Sequence, residues 1–282
     1  MSDAAGSLSL GDKVADHYST GSIVAAIHGA LAEAGLDDGA ITAADIEAID
    51  HLHGGGAKVT RDLARRLPIA AGQHILDIGS GVGGPARLVT GEFDCTVTGI
   101  DLTEEYCTVA RWLSELTGFA DKTTFDHASA TDLPFADGTF DGAICQNVAM
   151  NIADKAAFYA GVFRVLKPGA FFTTTDICLG DGGDPAYPVH WAETVETSFL
   201  LPVDALTDLI AGGGFTDIQA RDTVTEHLAF LDDARHRLKE EGPPLLGPRL
   251  VFGERVRDMG RNTARNLEEA RVIPVEIICT RA

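Results

Sequence analysis

The chain has 282 residues and a mass of 29.7 kDa, long enough for a core that needs no disulfide or metal staple. With 42 Asp+Glu against 22 Lys+Arg the formal net charge is −20. Such a surface repels phosphate backbones and anionic lipid, so nucleic acid and membranes are not expected partners. Cys95, Cys107, Cys145, Cys178 and Cys279 contain no C-x-x-C pair, which argues against a disulfide framework or zinc knuckle, and four of them sit in strand-like runs as small core hydrophobes. The polar start carries no cationic-then-apolar leader, and no run approaches the roughly 18 apolar residues of a membrane span; a soluble, cytoplasmic protein is expected.

The first third reads as helix. Residues 12–34 carry Val14, Ile23, Val24, Ile27 and Leu31 at helical spacing. Thr42 reads as an N-cap for a helix ending near Gly54–Gly56, and residues 58–67 as a third helix stopped by Pro68. The period then changes to strand, helix, strand. Strands are expected at 74–78, 96–100, 123–127, 140–145 and 170–177, with helices at 85–90, 104–117 and 155–166 between them. That alternation means βαβ units and a parallel sheet with right-handed crossovers. After a Gly/Pro-rich stretch at 179–202 come a helix at 203–211, a strand at 215–226, a mainly helical 231–270 broken at Pro243–Pro244, and a last strand at 273–280.

Gly79-Ser80-Gly81-Val82-Gly83-Gly84 follows the first strand and opens a helix, and Asp101 ends the second strand 22 residues after Gly79. Glycines let a ligand approach the backbone, the helix start offers free amides, and the acid can bind both hydroxyls of a ribose. A nucleoside-containing cofactor follows, either a dinucleotide or S-adenosylmethionine. Asp77 stands two residues before the loop. A carboxylate there disfavours a pyrophosphate and suits the ammonium and sulfonium of the methyl donor.

Leu76-Asp77-Ile78-Gly79-Ser80-Gly81-Val82-Gly83-Gly84, Asp101-Leu102, the 130–141 segment and Arg164-Val165-Leu166-Lys167-Pro168-Gly169-Ala170 stand in order and spacing. Together they resemble the motifs of class I S-adenosylmethionine-dependent methyltransferases, small-molecule branch, similar to sarcosine/dimethylglycine N-methyltransferases and quinone-biosynthesis-type methyltransferases. The resemblance implies an α/β fold: a seven-stranded Rossmann-like sheet with its last strand antiparallel, an N-terminal helical cap and a helical insertion between the last two strands. It implies one methyltransferase domain, with residues 1–68 as cap, 69–178 as cofactor core and 179–282 as substrate-covering segment. It places Asp77, Gly79, Ser80 and Gly81 at the methionine part, Asp101 at the ribose, Leu102 on adenine and Ser129, Ala130 and Thr131 at the adenine edge. Gln146 falls near the methionine amino group, and Tyr18 resembles an aromatic that closes over the cofactor. The partner implied is a small-molecule methyl acceptor, with a homodimer left open.

Several relatives place a histidine after the fourth strand where this chain has Asn151, and asparagine cannot act as a base. A neutral amine needs no base and a hydroxyl generally does. N-methylation of an amine is therefore favoured, with C- or O-methylation of a quinone-like or natural-product acceptor as the alternative. His53 and His190 are the catalytic candidates, and His51 is a further replacement base. Aromatics and carboxylates between Asp176 and Phe199 offer an ammonium cage, and Arg249, Arg255 or Arg257 a carboxylate clamp. An NAD(P)-dependent oxidoreductase and a non-catalytic binding protein remain as readings from other classes.

Overall fold

Strands His74–Ile78 (β1), Thr96–Asp101 (β2), Thr123–His127 (β3), Phe140–Gln146 (β4), Leu166–Leu179 (β5), Phe215–Asp222 (β6) and Val272–Arg281 (β7) form one sheet of order β3-β2-β1-β4-β5-β7-β6. The coordinates are a computed structural model that describes residues 9–18, 23–36, 41–51 and 53–282. β1 to β5 pair in parallel, and β7 runs antiparallel to both neighbours. The inner parallel strands β1, β4 and β5 are largely buried because helices cover both faces, whereas the edge strand β3 keeps exposed polar positions. Gly84–Phe93 (α5) and Glu104–Leu116 (α6) lie with Gly56–Ala64 (α4) around Ile75, Val97, Phe125, Ile144 and Phe171. Lys155–Val165 (α7) and Val203–Gly212 (α8) enclose Leu76, Ile78, Phe140, Phe172 and Ile277 on the opposite face. All five cysteines are free and buried in these layers.

The N-terminal part contains Leu10–Tyr18 (α1) and Ile23–Glu33 (α2), on either side of residues 19–22, which lie outside the described residues along with that part of the expected 12–34 helix. The helix expected from Thr42 is a run of turns and a single helical turn, Glu47–Asp50 (α3). Asp45 explains part of this: its carboxylate accepts from both the amide (2.8 Å) and the hydroxyl (2.6 Å) of Thr42, closing a local turn. Ile23, Ile27, Ile46 and Ile49 pack on Tyr106, Val109 and Leu113 of α6, and on Val251 and Phe252 of Arg249–Phe252 (α10). Arg87 of α5 is fully buried. It pairs with Asp50 and donates to the carbonyls of Val82 (2.6 Å) and Ala110 (3.1 Å) and to Ser114 Oγ (3.0 Å), which pins the cap to the glycine loop.

β6 ends at Asp222 rather than running to residue 226. The Asp222 carboxylate accepts from Val224 N at 2.7 Å and starts the helix Val224–Glu241 (α9) there. The expected break at Pro243–Pro244 separates α9 from α10, and Val256–Glu268 (α11) then leads into β7. β5 begins four residues before the expected Ala170. Lys167-Pro168-Gly169 bulges out of its pairing with β4, with Gly169 at φ +77°. Among the described residues no helix is long and apolar enough to cross a membrane.

Candidate active site

The loop after β1 is held to β2 by its own backbone. Gly79 N and Ser80 N both donate to Ile100 O, at 2.8 and 2.9 Å. Gly81 N donates to Asp101 Oδ2 (2.9 Å) and Thr103 N to Asp101 Oδ1 (2.8 Å). Each carboxylate oxygen keeps a lone pair for a further donor. Glycine is required at position 79: φ is +73°, and a Cβ would lie 2.1 Å from Val148 Cγ2 in the turn after β4.

Above the C-terminal ends of β1, β2, β4 and β5 opens a cavity of about 1640 Å³. A pocket for one drug-sized ligand is roughly 300–1,000 Å³; this one has room for two. The residues expected from sequence converge on it. Asp77, Gly79, Ser80, Gly81, Asp101 and Leu102 form one side, Ser129, Ala130 and Thr131 the wall after β3, and Gln146 the end of β4. Tyr18, His53 and His190 reach it from the cap and from the segment after β5. Ser129 shapes its wall by accepting from Thr131 N (3.3 Å) and bonding Thr131 Oγ1 (2.9 Å).

Four buried polar atoms of the cavity lining have no partner among the described residues: Asp77 Oδ2, Gln146 Nε2, Ser80 Oγ and the Tyr106 hydroxyl. Burial, then the neighbouring Asp101 carboxylate, push the Asp77 carboxyl up to about 7. A buried, unpaired carboxyl beside a cavity is costly unless a cation or donor arrives from the cavity.

The polar groups further out are mostly tied. Asn151 donates to Trp191 O (2.6 Å) and Thr197 O (2.8 Å) and accepts from the Tyr18 hydroxyl (3.2 Å), so it is a strut between α1 and the segment after β5. Burial, with Asp101 nearby, raises the Tyr18 phenol, which keeps its proton. Burial lowers His53 to about 4 and leaves it neutral; its Nδ1 is 3.2 Å from Gly54 O and its Nε2 2.9 Å from Thr60 Oγ1. His190 is also held to about 4, by burial first and then by His17, with Nδ1 3.1 Å from Thr263 Oγ1. His51 falls to about 2, through burial and then His53, Arg87 and Arg61; its Nδ1 is 3.3 Å from Thr60 Oγ1.

The expected ammonium cage is not assembled. Of the aromatics and carboxylates between Asp176 and Phe199, only His190 and Trp191 line the cavity. Asp176 is buried within β5, Glu193 pairs with Arg255 and Glu196 with Lys13. Arg255 also donates to His17 O (3.2 Å), which latches α1 in place, while Arg249 and Arg257 reach the cavity with Phe230 and Phe252. Sequence reasoning picked out Phe230 in the insertion but missed Thr60, which joins both cap histidines to Gln146, and the rest of the α9 face around Phe230: His227, Leu231, Ala234 and Leu238. The 3-4-4 spacing of that face was a legible signal. Gly54 is small for the same reason: a Cβ there would meet His227 Cδ2 at 2.8 Å.

A family model described as a methyltransferase domain matches residues 76–174. An O-methyltransferase of Pyrenophora dematioidea is 32% identical over 172 residues, 61% of this chain and 64% of that protein. An O-methyltransferase of Aspergillus sclerotiorum is 30% identical over 190 residues, 65% of this chain and 71% of that protein. The chain belongs to the class I S-adenosylmethionine-dependent methyltransferases. This methyltransferase shares its fold with phosphoethanolamine N-methyltransferase 2 of Haemonchus contortus, solved with S-adenosyl-L-methionine, at TM-score 0.72 and 21% identity over 87% of this chain and 59% of that one. It thus spans less than two thirds of the Pyrenophora and Haemonchus chains. The names of its relatives cover O-, N- and C-methylation.

Proposed function

We propose that this methyltransferase moves the methyl group of S-adenosylmethionine onto a small, largely apolar acceptor, an amine nitrogen before an oxygen or carbon. The observation that carries the donor is the pair of unpartnered buried atoms, Asp77 Oδ2 and Gln146 Nε2, beside a glycine loop tied to Asp101. In this reading Gly79, Ser80 and Gly81 run under the methionine part and Asp101 takes the ribose hydroxyls on its remaining lone pairs. Leu102 packs on adenine, Ser129 to Thr131 meet its edge, and Tyr18 covers the cofactor. Residues 1–68, 69–178 and 179–282 serve as cap, cofactor core and acceptor cover of one unit. When bound, the sulfonium supplies the methyl group for in-line displacement. The chain's share is orientation and exclusion of water.

The amine preference rests on the tied state of Asn151, Tyr18 and His53, none of which offers a free base. Oxygen is the second reading: His51 and His190 line the cavity with no partner at Nε2 among the described residues. The test is a thermal shift with S-adenosylhomocysteine alongside NADH, since selective binding to the folded state raises the melting temperature. S-adenosylhomocysteine alone is expected to shift it; a shift with NADH alone would overturn the reading. Methylation of amine and phenol panels then separates nitrogen from oxygen.

A further inference from the structure

The hydroxyl of Thr60 meets three polar groups but has only one proton to give. His53 Nε2 is at 2.9 Å, His51 Nδ1 at 3.3 Å and the Gln146 amide at 3.1 Å, with Oε1 as the amide end turned towards Thr60. The arrangement has one self-consistent solution for a neutral His53. Gly54 O only accepts, so His53 Nδ1 carries the ring proton. His53 Nε2 is then bare and must accept, and Thr60 is its donor. With its proton committed there, Thr60 can only accept from Gln146, and it holds two lone pairs for Gln146 and His51. The two ends of an amide are the same size, so hydrogen-bond balance decides which faces which.

We infer that Gln146 presents its amide N–H to Thr60 and its carbonyl oxygen to the cavity, so that the Thr60–His53 pair acts as a positioning device for an acceptor beside Asp77. The register supports the pairing. Asp77 of β1 stands opposite Ile144 of β4, and Gln146, two residues on, returns to the same face of the sheet. Both side chains are more than nine-tenths buried, and each has one polar atom without a partner among the described residues. A carboxyl and an amide carbonyl on the same face of adjacent strands can both accept from a primary ammonium, so the subsite selects the α-ammonium end of an amino acid-bearing nucleoside. This rests on the methyl-donor reading above and adds the residues that orient the subsite.

Calorimetric titration of the full chain with S-adenosylhomocysteine and with 5′-methylthioadenosine, which lacks the amino-acid part, tests it. Thr60→Val is expected to weaken S-adenosylhomocysteine about tenfold, the scale of one hydrogen bond to a charged group, and to leave 5′-methylthioadenosine within about twofold. Thr60→Ser restores the wild-type ratio. Equal loss for both ligands, or loss for neither, overturns the positioning role. Nitrogen-15 NMR of the wild-type histidines is an arm that needs no variant: His53 is expected as the neutral Nδ1–H tautomer, and a protonated Nε2 overturns the orientation. If wild type binds neither nucleoside, the methyl-donor reading falls, while the tautomer still decides how Gln146 stands.

Discussion

Asp77 concentrates the physics of the site in one side chain. Its carboxyl titrates near 7 in the folded chain, against about 4 in an unfolded one. Between those values the folded form holds a proton that the unfolded form has released. Its contribution to stability is therefore full below pH 4, falls as pH rises through that window, and is lost above about 7. Asp77→Asn without ligand is accordingly expected to be more stable than wild type at pH 8, by on the order of a few kcal/mol, and so to melt higher, and the gap should shrink steadily from pH 7 to pH 4. The buried histidines titrate in the opposite sense, but they cancel in the wild-type-minus-variant difference. Melting curves of both proteins across pH 4–8 check this. A gap that stays constant with pH would mean that Asp77 is ionised in the empty site. At this scale the half of the site proposed for the cofactor was legible. Asp77, Gly79, Gly81 and Asp101 lie within one βαβ unit, where chain order nearly dictates proximity. Thr60 was not legible, because its meaning depends on His51, His53 and Gln146, the last 86 residues away.

The elements differ in what holds them. α3 and α5 are joined by the buried Asp50–Arg87 pair, and Gly84 lets the Asp50 carbonyl approach so closely that a Cβ would lie 2.1 Å from it. Removing one partner of a buried pair leaves the other uncompensated. Arg87→Met is expected to cost about 3–5 kcal/mol, read by denaturant unfolding, with Asp50→Leu/Arg87→Met recovering part of it. α9 is the reverse case: an 18-residue helix with no buried residue. Leu238, which lines the cavity mouth at 54% exposure, contributes little to the fold. Leu238→Ser is expected to leave stability within about 0.5 kcal/mol while raising the KM for an apolar acceptor several-fold. An unchanged KM would place the acceptor elsewhere in the cavity. The strands were readable because parallel strands buried on both faces are short apolar runs. The ends that moved, at Thr42 and Asp222, were decided by single carboxylates capping local turns, which a periodicity argument does not weigh.

At the scale of the molecule, cap and insertion share a core. α2 and α3 meet α10 and α11 over α6, so the two segments furthest apart in sequence enclose the same cavity. This is why the half proposed for the acceptor was not legible. Its wall is assembled from residues near 10–18, 47–58, 190 and 227–267, and nothing local in any of them points to the others. The expected cage failed for the same reason, since Glu193 and Glu196 were drawn off by Arg255 and Lys13 from distant segments.

The five buried thiols also give the chain an internal clock. Burial pushes Cys107, Cys178 and Cys279 up to about 12, so at neutral pH they are unreactive until the surrounding structure opens. Cys107 lies 3.9 Å from the carbonyl of Asp101, and Cys279 lies in β7 at the other side of the sheet. Mass-spectrometric alkylation rates at the two positions thus time two separate openings. S-adenosylhomocysteine should slow labelling at Cys107 above all if the nucleoside half breathes on its own, and at both cysteines equally if the molecule opens only as a whole.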